Sequence, residues 1–271
     1  MNIVQLHDNL FELLCLIDDI CRKENVRYFL DGGTAIGAVR EKDFIPWDDD
    51  MDIKVLAEDY PAFKAAMEKN LPRHYHLVEP EVFAPGFYDF VVRIYDDRIL
   101  LRKETEEDRY YRNFQNHFGT DVFIYFNAPA QPWRQKLLRL ETKVLYGLGM
   151  AHRYRVKDQK YTTLQKLQVA VLRLLGKPFP AAWICRRWKK AMLRWQGKNT
   201  GWVYTGNYPV NQLFFFPAEN YMGTCEGEIR GRKFPLGNGV DAELRAIYGD
   251  YMQPPVDKDA FIHHLDPEDM I

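Results

Sequence analysis

The chain has 271 residues, 46% of them hydrophobic and 28% charged, with a formal net charge of -1. That composition excludes a disordered or fibrous chain and gives one large domain or two ordinary ones enough apolar residues for a core. The near-neutral total argues for neither nucleic acid nor membrane as a bulk partner, but it hides an asymmetry: residues 131–198 hold 17 Lys+Arg against two acids, Glu141 and Asp158, leaving 20 cations and 36 acids elsewhere.

The opening "MNIVQLHDNLFELLCLIDDI" has acids among its apolar residues, unlike a secretory leader, so the protein is expected inside the cell, in the cytoplasm or peripheral at the inner face of its membrane. Within it Leu6, Leu10, Leu13, Leu14 and Ile17 recur at helical spacing, which predicts a helix over 4–22. "VRYFL" (26–30) reads as a strand that ends at Asp31-Gly32-Gly33, where glycines permit a tight turn into a short helix "TAIGAVR". A strand over 50–56 and a helix over 57–71, with Pro61 in its first turn, come next. Further strands are expected at 75–80, 88–96, 99–104 and 120–126. Helices are expected at about 132–153, 160–176 and 179–197, the last two separated by Pro178 and Pro180. After them come aromatic loops, a hairpin around "EGEIRGRKFPL", a helix at 239–249 and a Pro-rich tail with His263-His264 as surface decoration. Cys15, Cys21, Cys185 and Cys225 show no C-x-x-C spacing, so neither a zinc site nor a disulfide framework is indicated. This order predicts an α/β (α+β) fold with three parts: a sheet domain over 1–128, a basic helical insert over 129–199 and a C-terminal part over 200–271 that completes the sheet domain.

The chemistry concentrates at "YFLDGGTAIGAVREKDFIPWDDDMDIKV" (28–55), where Asp48, Asp49, Asp50 and Asp52 crowd together. Like charges at such spacing are costly unless a cation joins them. On a strand, residues two apart share a face, so Asp50 and Asp52 project together and suit a Mg²⁺ ion, with Mn²⁺ as the alternative. Gly32, Gly33 and Thr34, at a helix start, offer backbone N–H groups and a hydroxyl to a phosphate. Arg40 and Lys42 are candidate phosphate cations, and Asp121, an isolated acid opening "DVFIYF", is a candidate third carboxylate. The plainer readings are a solvated acid loop, loop cations and a strand-end cap.

"GGTAIGAVREKDFIPWDDDMDI", "TDVFIYF" and "AIYGDYMQPP" (246–255) together resemble the LicD family and the corresponding segment of the fukutin-related proteins. The resemblance implies a nucleotidyltransferase-like mixed sheet with flanking helices. It also implies Mg²⁺-dependent transfer of phosphocholine from CDP-choline to a hydroxyl of a cell-surface glycan of lipopolysaccharide, teichoic acid or capsule type, with CMP released. Carried over residue by residue, it makes Asp50, Asp52 and Asp121 the metal and catalytic acids. It makes Gly33 and Thr34 the phosphate turn; Gly32, Arg40, Lys42, Trp47 and Asp48 are further candidate substrate contacts read from the residues themselves. Asp43 departs from the family pattern, which often has Gly there, and "NAPA" after the Asp121 strand departs from it too. Ribitol phosphate or glycerol phosphate from a CDP-alditol is the alternative cargo, a metal-dependent glycosyltransferase a further alternative, and a scaffold that has lost catalysis the non-enzymatic one.

A choline headgroup calls for aromatic faces, for which Trp47, Trp202, Tyr204, Tyr208, Phe214, Phe215, Phe216 and Tyr221 are candidates, with Glu226 or Glu228 as counter-charge. The basic insert suits anionic lipid headgroups, consistent with a lipid-linked glycan acceptor, or an acidic polysaccharide, nucleotide phosphates or solvent. No nucleic-acid docking motif is present, and nucleic acid is not an expected partner.

Overall fold

The structure, a computed structural model, describes residues 1–83, 86–112, 116–155, 162–209 and 214–255. His263 and His264 lie outside the described residues, as does part of the aromatic loop before Phe214.

Helix α1 (Ile3–Glu24) starts with a capping box in which the Asn2 side chain accepts from the Gln5 amide, and it buries Leu6, Leu10, Leu13, Leu14 and Ile17 as its periodicity requires. Strand β1 is short, Phe29–Leu30, and leads through Asp31 into α2 (Gly32–Ile36), which continues as a π turn over Gly37–Glu41. Strand β2 (Asp52–Leu56), helix α3 (Tyr60–Asn70), β3 (Tyr75–Val78), β4 (Val92–Leu100), the short α4 (Glu106–Tyr110) and β5 (His117–Ala128) follow. The strand expected separately at 99–104 is absent: β4 runs through Leu100 by way of a bulge between Tyr95 and Leu100, so two short apolar runs belong to one strand.

The three basic helices are α5 (Pro132–Gly149), α6 (Thr163–Gly176) and α7 (Ala181–Met192). Strands β6 (Trp202–Tyr204) and β7 (Phe215–Pro217), the hairpin β8 (Thr224–Ile229) and β9 (Arg232–Gly237), and α8 (Val240–Tyr248) complete the described chain. The main sheet runs β1-β2-β5-β4-β3, with β6 added to β5 and β7 to β6. β2 and β5 are parallel and the other pairs antiparallel, which makes the fold a mixed α/β sheet with flanking helices. Burying Ile53, Val55, Val122 and Ile124 against α1 and its neighbours places one core behind the strand ends that carry the acids. Among the described residues no helix is long and apolar enough to cross a membrane.

Candidate active site

Three neighbouring strands put charge in one row: Asp52 on β2 is in register with Asp121 on β5, and Asp121 with Arg93 on β4. β2 begins at Asp52, so Asp50 lies on the approach to the strand rather than within it. That approach is held by the Met51 carbonyl, which accepts from the Asp121 amide at 3.1 Å and the Thr120 hydroxyl at 2.7 Å.

The glycine turn meets the acids directly. Asp31 caps α2, its side chain accepting from the Gly32 amide at 2.9 Å, and Gly32 has φ +50°. A Cβ on Gly32 would stand 2.7 Å from Asp52 Oδ2, and one on Gly33 2.1 Å from Asp48 Oδ2. Gly32 therefore serves the turn by its backbone angle, and both glycines let the two carboxylates lie directly against the backbone. Thr34 is buried and its Oγ1 accepts from the Asp52 amide at 2.9 Å, so its hydroxyl oxygen positions the strand start and does not line the cleft.

Gly32, Gly33, Arg40, Trp47, Asp48, Asp50, Asp52 and Asp121 all line one cleft of about 1220 Å³. The Asp48 carboxyl is raised well above its ordinary range, first by burial and then by Asp50 and Asp49. Asp52 is raised likewise, by burial and then by Asp50, Asp121, Asp31 and Asp48. Every leading influence on these two acids opposes ionisation, the condition that a bound cation would relieve. Among the described residues no three His, Cys, Asp or Glu side chains converge to enclose a metal by themselves. Mg²⁺ does not need that: it usually takes one or two carboxylates and completes its octahedron with water and substrate phosphate oxygens, so a hard-oxygen pair fits it.

Asp121 is already engaged. Arg93 Nε approaches its Oδ1 at 2.9 Å and Nη2 its Oδ2 at 3.2 Å, while the same guanidinium grips the buried Asp89 at 2.9 and 2.7 Å. Arg40 lies against the cleft with its side chain only 8% exposed; Nε pairs with Glu41 at 2.6 Å and Nη1 donates to the Tyr251 carbonyl. Its Nη2 is buried with no protein partner among the described residues. Lys42 is exposed and does not line the cleft; its backbone, at φ 59°, closes the π turn and its carbonyl accepts from the Arg230 amide.

Among the aromatics, Trp47, Tyr208, Phe214 and Phe216 line the cleft. Tyr204 and Tyr221 are instead fully buried, and Phe215 stacks on Tyr204, so these rings are core. Trp202 and Phe215 lie outside the cleft lining, as do Glu226, which pairs with Lys233 on the hairpin, and Glu228.

Sequence reasoning missed four contributors. Arg93 was visible as a charge between Val92 and Ile94, but its partner depends on strand register. His7, on the apolar face of α1, meets the Asp48 carbonyl through Nε2 at 2.7 Å and stacks on Phe44; burial depresses its pKa, so the neutral ring braces the acid loop. Lys54 is buried between Asp31 at 2.9 Å and Glu243 of α8 at 2.6 Å, with the Tyr125 hydroxyl also on Glu243 at 3.0 Å. Tyr248, at the end of α8, is 45% exposed, yet its hydroxyl is driven up by burial and then by Asp52, Asp31, Asp48 and Asp50. α8 thus closes one wall of the cleft.

Comparison with known proteins places this geometry. Residues 25–137 match the model of the LicD/FKTN/FKRP nucleotidyltransferase domain. The chain is 26% identical over 270 residues, 94% of each chain, to the lipopolysaccharide cholinephosphotransferase LicD of Haemophilus influenzae. Shorter matches reach uncharacterised proteins of Rickettsia typhi, 29% identical over 75 residues (28% of this chain, 24% of the relative), and of Rickettsia prowazekii, 39% over 51 (19% of each). The glycine turn, the acid cluster and the Asp121 strand all fall inside the matched segment, and it is to the LicD/FKTN/FKRP nucleotidyltransferase domain that this part of the chain is similar.

Proposed function

We propose that this protein transfers phosphocholine from CDP-choline to a hydroxyl of a glycan acceptor of lipopolysaccharide type, releasing CMP. The reaction class rests on one observation: two burial-raised acids, Asp48 and Asp52, are packed with Asp50 against the Gly32-Gly33 backbone in the wall of one cleft. The cargo and acceptor rest on the cholinephosphotransferase relative, whose match covers 94% of this chain.

In the reaction the acceptor oxygen attacks the phosphorus that bears choline, the bond from that phosphorus to the CMP oxygen breaks, and the acceptor proton passes to a base. Asp50 and Asp52 would hold Mg²⁺, which when bound offsets charge on the diphosphate and on the leaving oxygen. Arg40, whose side chain lines the same cleft, supplies a guanidinium for a donor phosphate. Arg93 holds both oxygens of Asp121 and fixes that carboxylate beside Asp52, where it orients the acceptor hydroxyl. Trp47, Tyr208 and Phe214 supply ring faces in the same cleft for a quaternary ammonium, which cannot donate hydrogen bonds.

Isothermal titration with CDP-choline, CDP-ribitol and CDP-glycerol, with and without Mg²⁺, tests the reading. The expected result is Mg²⁺-dependent binding of CDP-choline, lost in Asp50→Asn/Asp52→Asn. Preference for a CDP-alditol would overturn the cargo, and metal-independent binding of all three would overturn the role of the acid pair.

A further inference from the structure

Helices α5 and α6 each expose an apolar stripe that no described segment covers. On α6, Leu164, Leu167, Val171 and Leu174 are 65%, 62%, 47% and 66% exposed, and on α5 Leu137 and Leu140 are 55% and 57% exposed beside Trp133. These positions recur at three- and four-residue spacing, so each set forms one stripe along its helix. The stripe of α6 is not its packing face. α6 meets α5 through glycines: a Cβ on Gly147 would strike Leu172, and one on Gly176 would stand 2.2 Å from the Leu148 carbonyl oxygen. With that close contact satisfied, the leucines are left facing outward. Monomeric proteins rarely leave large contiguous apolar patches uncovered.

The charge around the stripes identifies what covers them. Lys136 and Lys143 flank the α5 stripe, and Lys166 and Arg173 occupy the polar side of α6. α6 and α7 contain no acid. α5 contains one, Glu141, which is already taken by Arg194 at 2.9 Å and Arg187 at 3.6 Å. Next to them α7 gathers Arg186, Arg187, Lys189 and Lys190 with Arg194 at a shallow surface hollow. An apolar stripe with a cationic polar side and no free acid matches an interface with a hydrocarbon boundary under anionic headgroups, where leucine and tryptophan insert and lysine and arginine remain among phosphates. A second protein copy would bring the same excess of cations to the contact, and like charges would oppose it.

We propose that the outer faces of α5 and α6 dock this protein on a bilayer surface containing anionic phospholipid, with the α7 cations as a flanking electrostatic contact. The protein lies on the membrane, since among the described residues no helix can cross it. This inference stands on α5, α6 and α7 alone, and its test uses neither donor nor acceptor, so it fails or holds separately from the proposed reaction.

The test is co-sedimentation of the full chain with vesicles of phosphatidylcholine alone or mixed with phosphatidylglycerol, at low and high salt. Binding is expected to the mixed vesicles, to weaken with salt, and to fall at least about tenfold in Leu167→Glu/Leu174→Glu, because each exposed leucine loses the burial it would gain. Lys166→Glu/Arg173→Glu should weaken binding to mixed vesicles without creating binding to neutral ones. Both pairs change exposed side chains, and a thermal melt on each confirms the fold. Absence of binding to mixed vesicles, binding indifferent to the leucine substitutions, or a dimer by light scattering that those substitutions dissociate would each overturn the proposal, the last by showing that a second copy covers the face.

Discussion

Lys54 offers the sharpest test of how the cleft is held together. Its side chain is 3% exposed, with Asp31 at 2.9 Å, Glu243 at 2.6 Å and the rings of Tyr125 and Tyr221 about it at 5.0 and 5.4 Å. Burial alone would lower the pKa of the ammonium, but the two carboxylates outweigh burial and raise it. In Lys54→Met the stem keeps its volume and the charge disappears, leaving Asp31 and Glu243 buried and facing each other. Removing one partner of a buried ionic group costs about 3–5 kcal/mol. At about 2–4 °C per kcal/mol for a chain of this size, the melting temperature should fall by roughly 6 to 20 °C. Calorimetry and urea unfolding of wild type and Lys54→Met measure this, and adding Glu243→Gln should recover part of the loss because one uncompensated charge goes with it. A loss below about 1 kcal/mol, or no recovery in the double variant, would refute the view that this cluster ties α8 to the sheet.

Gly33→Ala should leave the melting temperature within about 2 °C, since Asp48 can swing aside, yet cut transferase activity by about 100-fold or more, because the new methyl occupies the position of Asp48 Oδ2; activity and melting measured side by side check it. The buried Asp108 accepts from Arg102 at 2.6 Å on both oxygens. Burial would raise its carboxyl, but the bonds from Arg102 and Thr105 prevail and hold it below the ordinary range. A depressed carboxylate contributes stability that is complete above its unfolded value, about 4, and is lost as pH falls through its folded value. Asp108→Asn should therefore cost about 1–3 kcal/mol near pH 7, and the gap to wild type in urea midpoints should close on acidification.

What could be read from the sequence was local. The glycines, the acids and the helical periodicity of α1 are written within a few residues of one another, and the glycine turn and acid cluster do meet in the structure. What could not be read depends on pairing over distance. Arg93 reaches Asp121 only through the β4–β5 register, and Lys54 reaches Glu243 189 residues downstream. The separate strand expected at 99–104 disappears because a bulge carries β4 past the charged Asp96-Asp97-Arg98 that seemed to end it. The aromatic run was ambiguous because ring-rich segments serve cores and ligand sites alike; alternation along β6 and β7 turns Tyr204 and Phe216 to different surroundings.

The contact between Lys54 and α8 also bears on how the protein is made. The acids and the glycine turn leave the ribosome early, whereas Glu243, Tyr248 and the Tyr251 carbonyl that accepts from Arg40 are among the last described residues synthesised. Until α8 docks, Lys54 has only Asp31 as its carboxylate and the cleft lacks a wall. A nascent chain therefore carries the glycine turn and the acid cluster long before it has a finished site, and assembly of that site waits until α8 has emerged and can dock on Lys54.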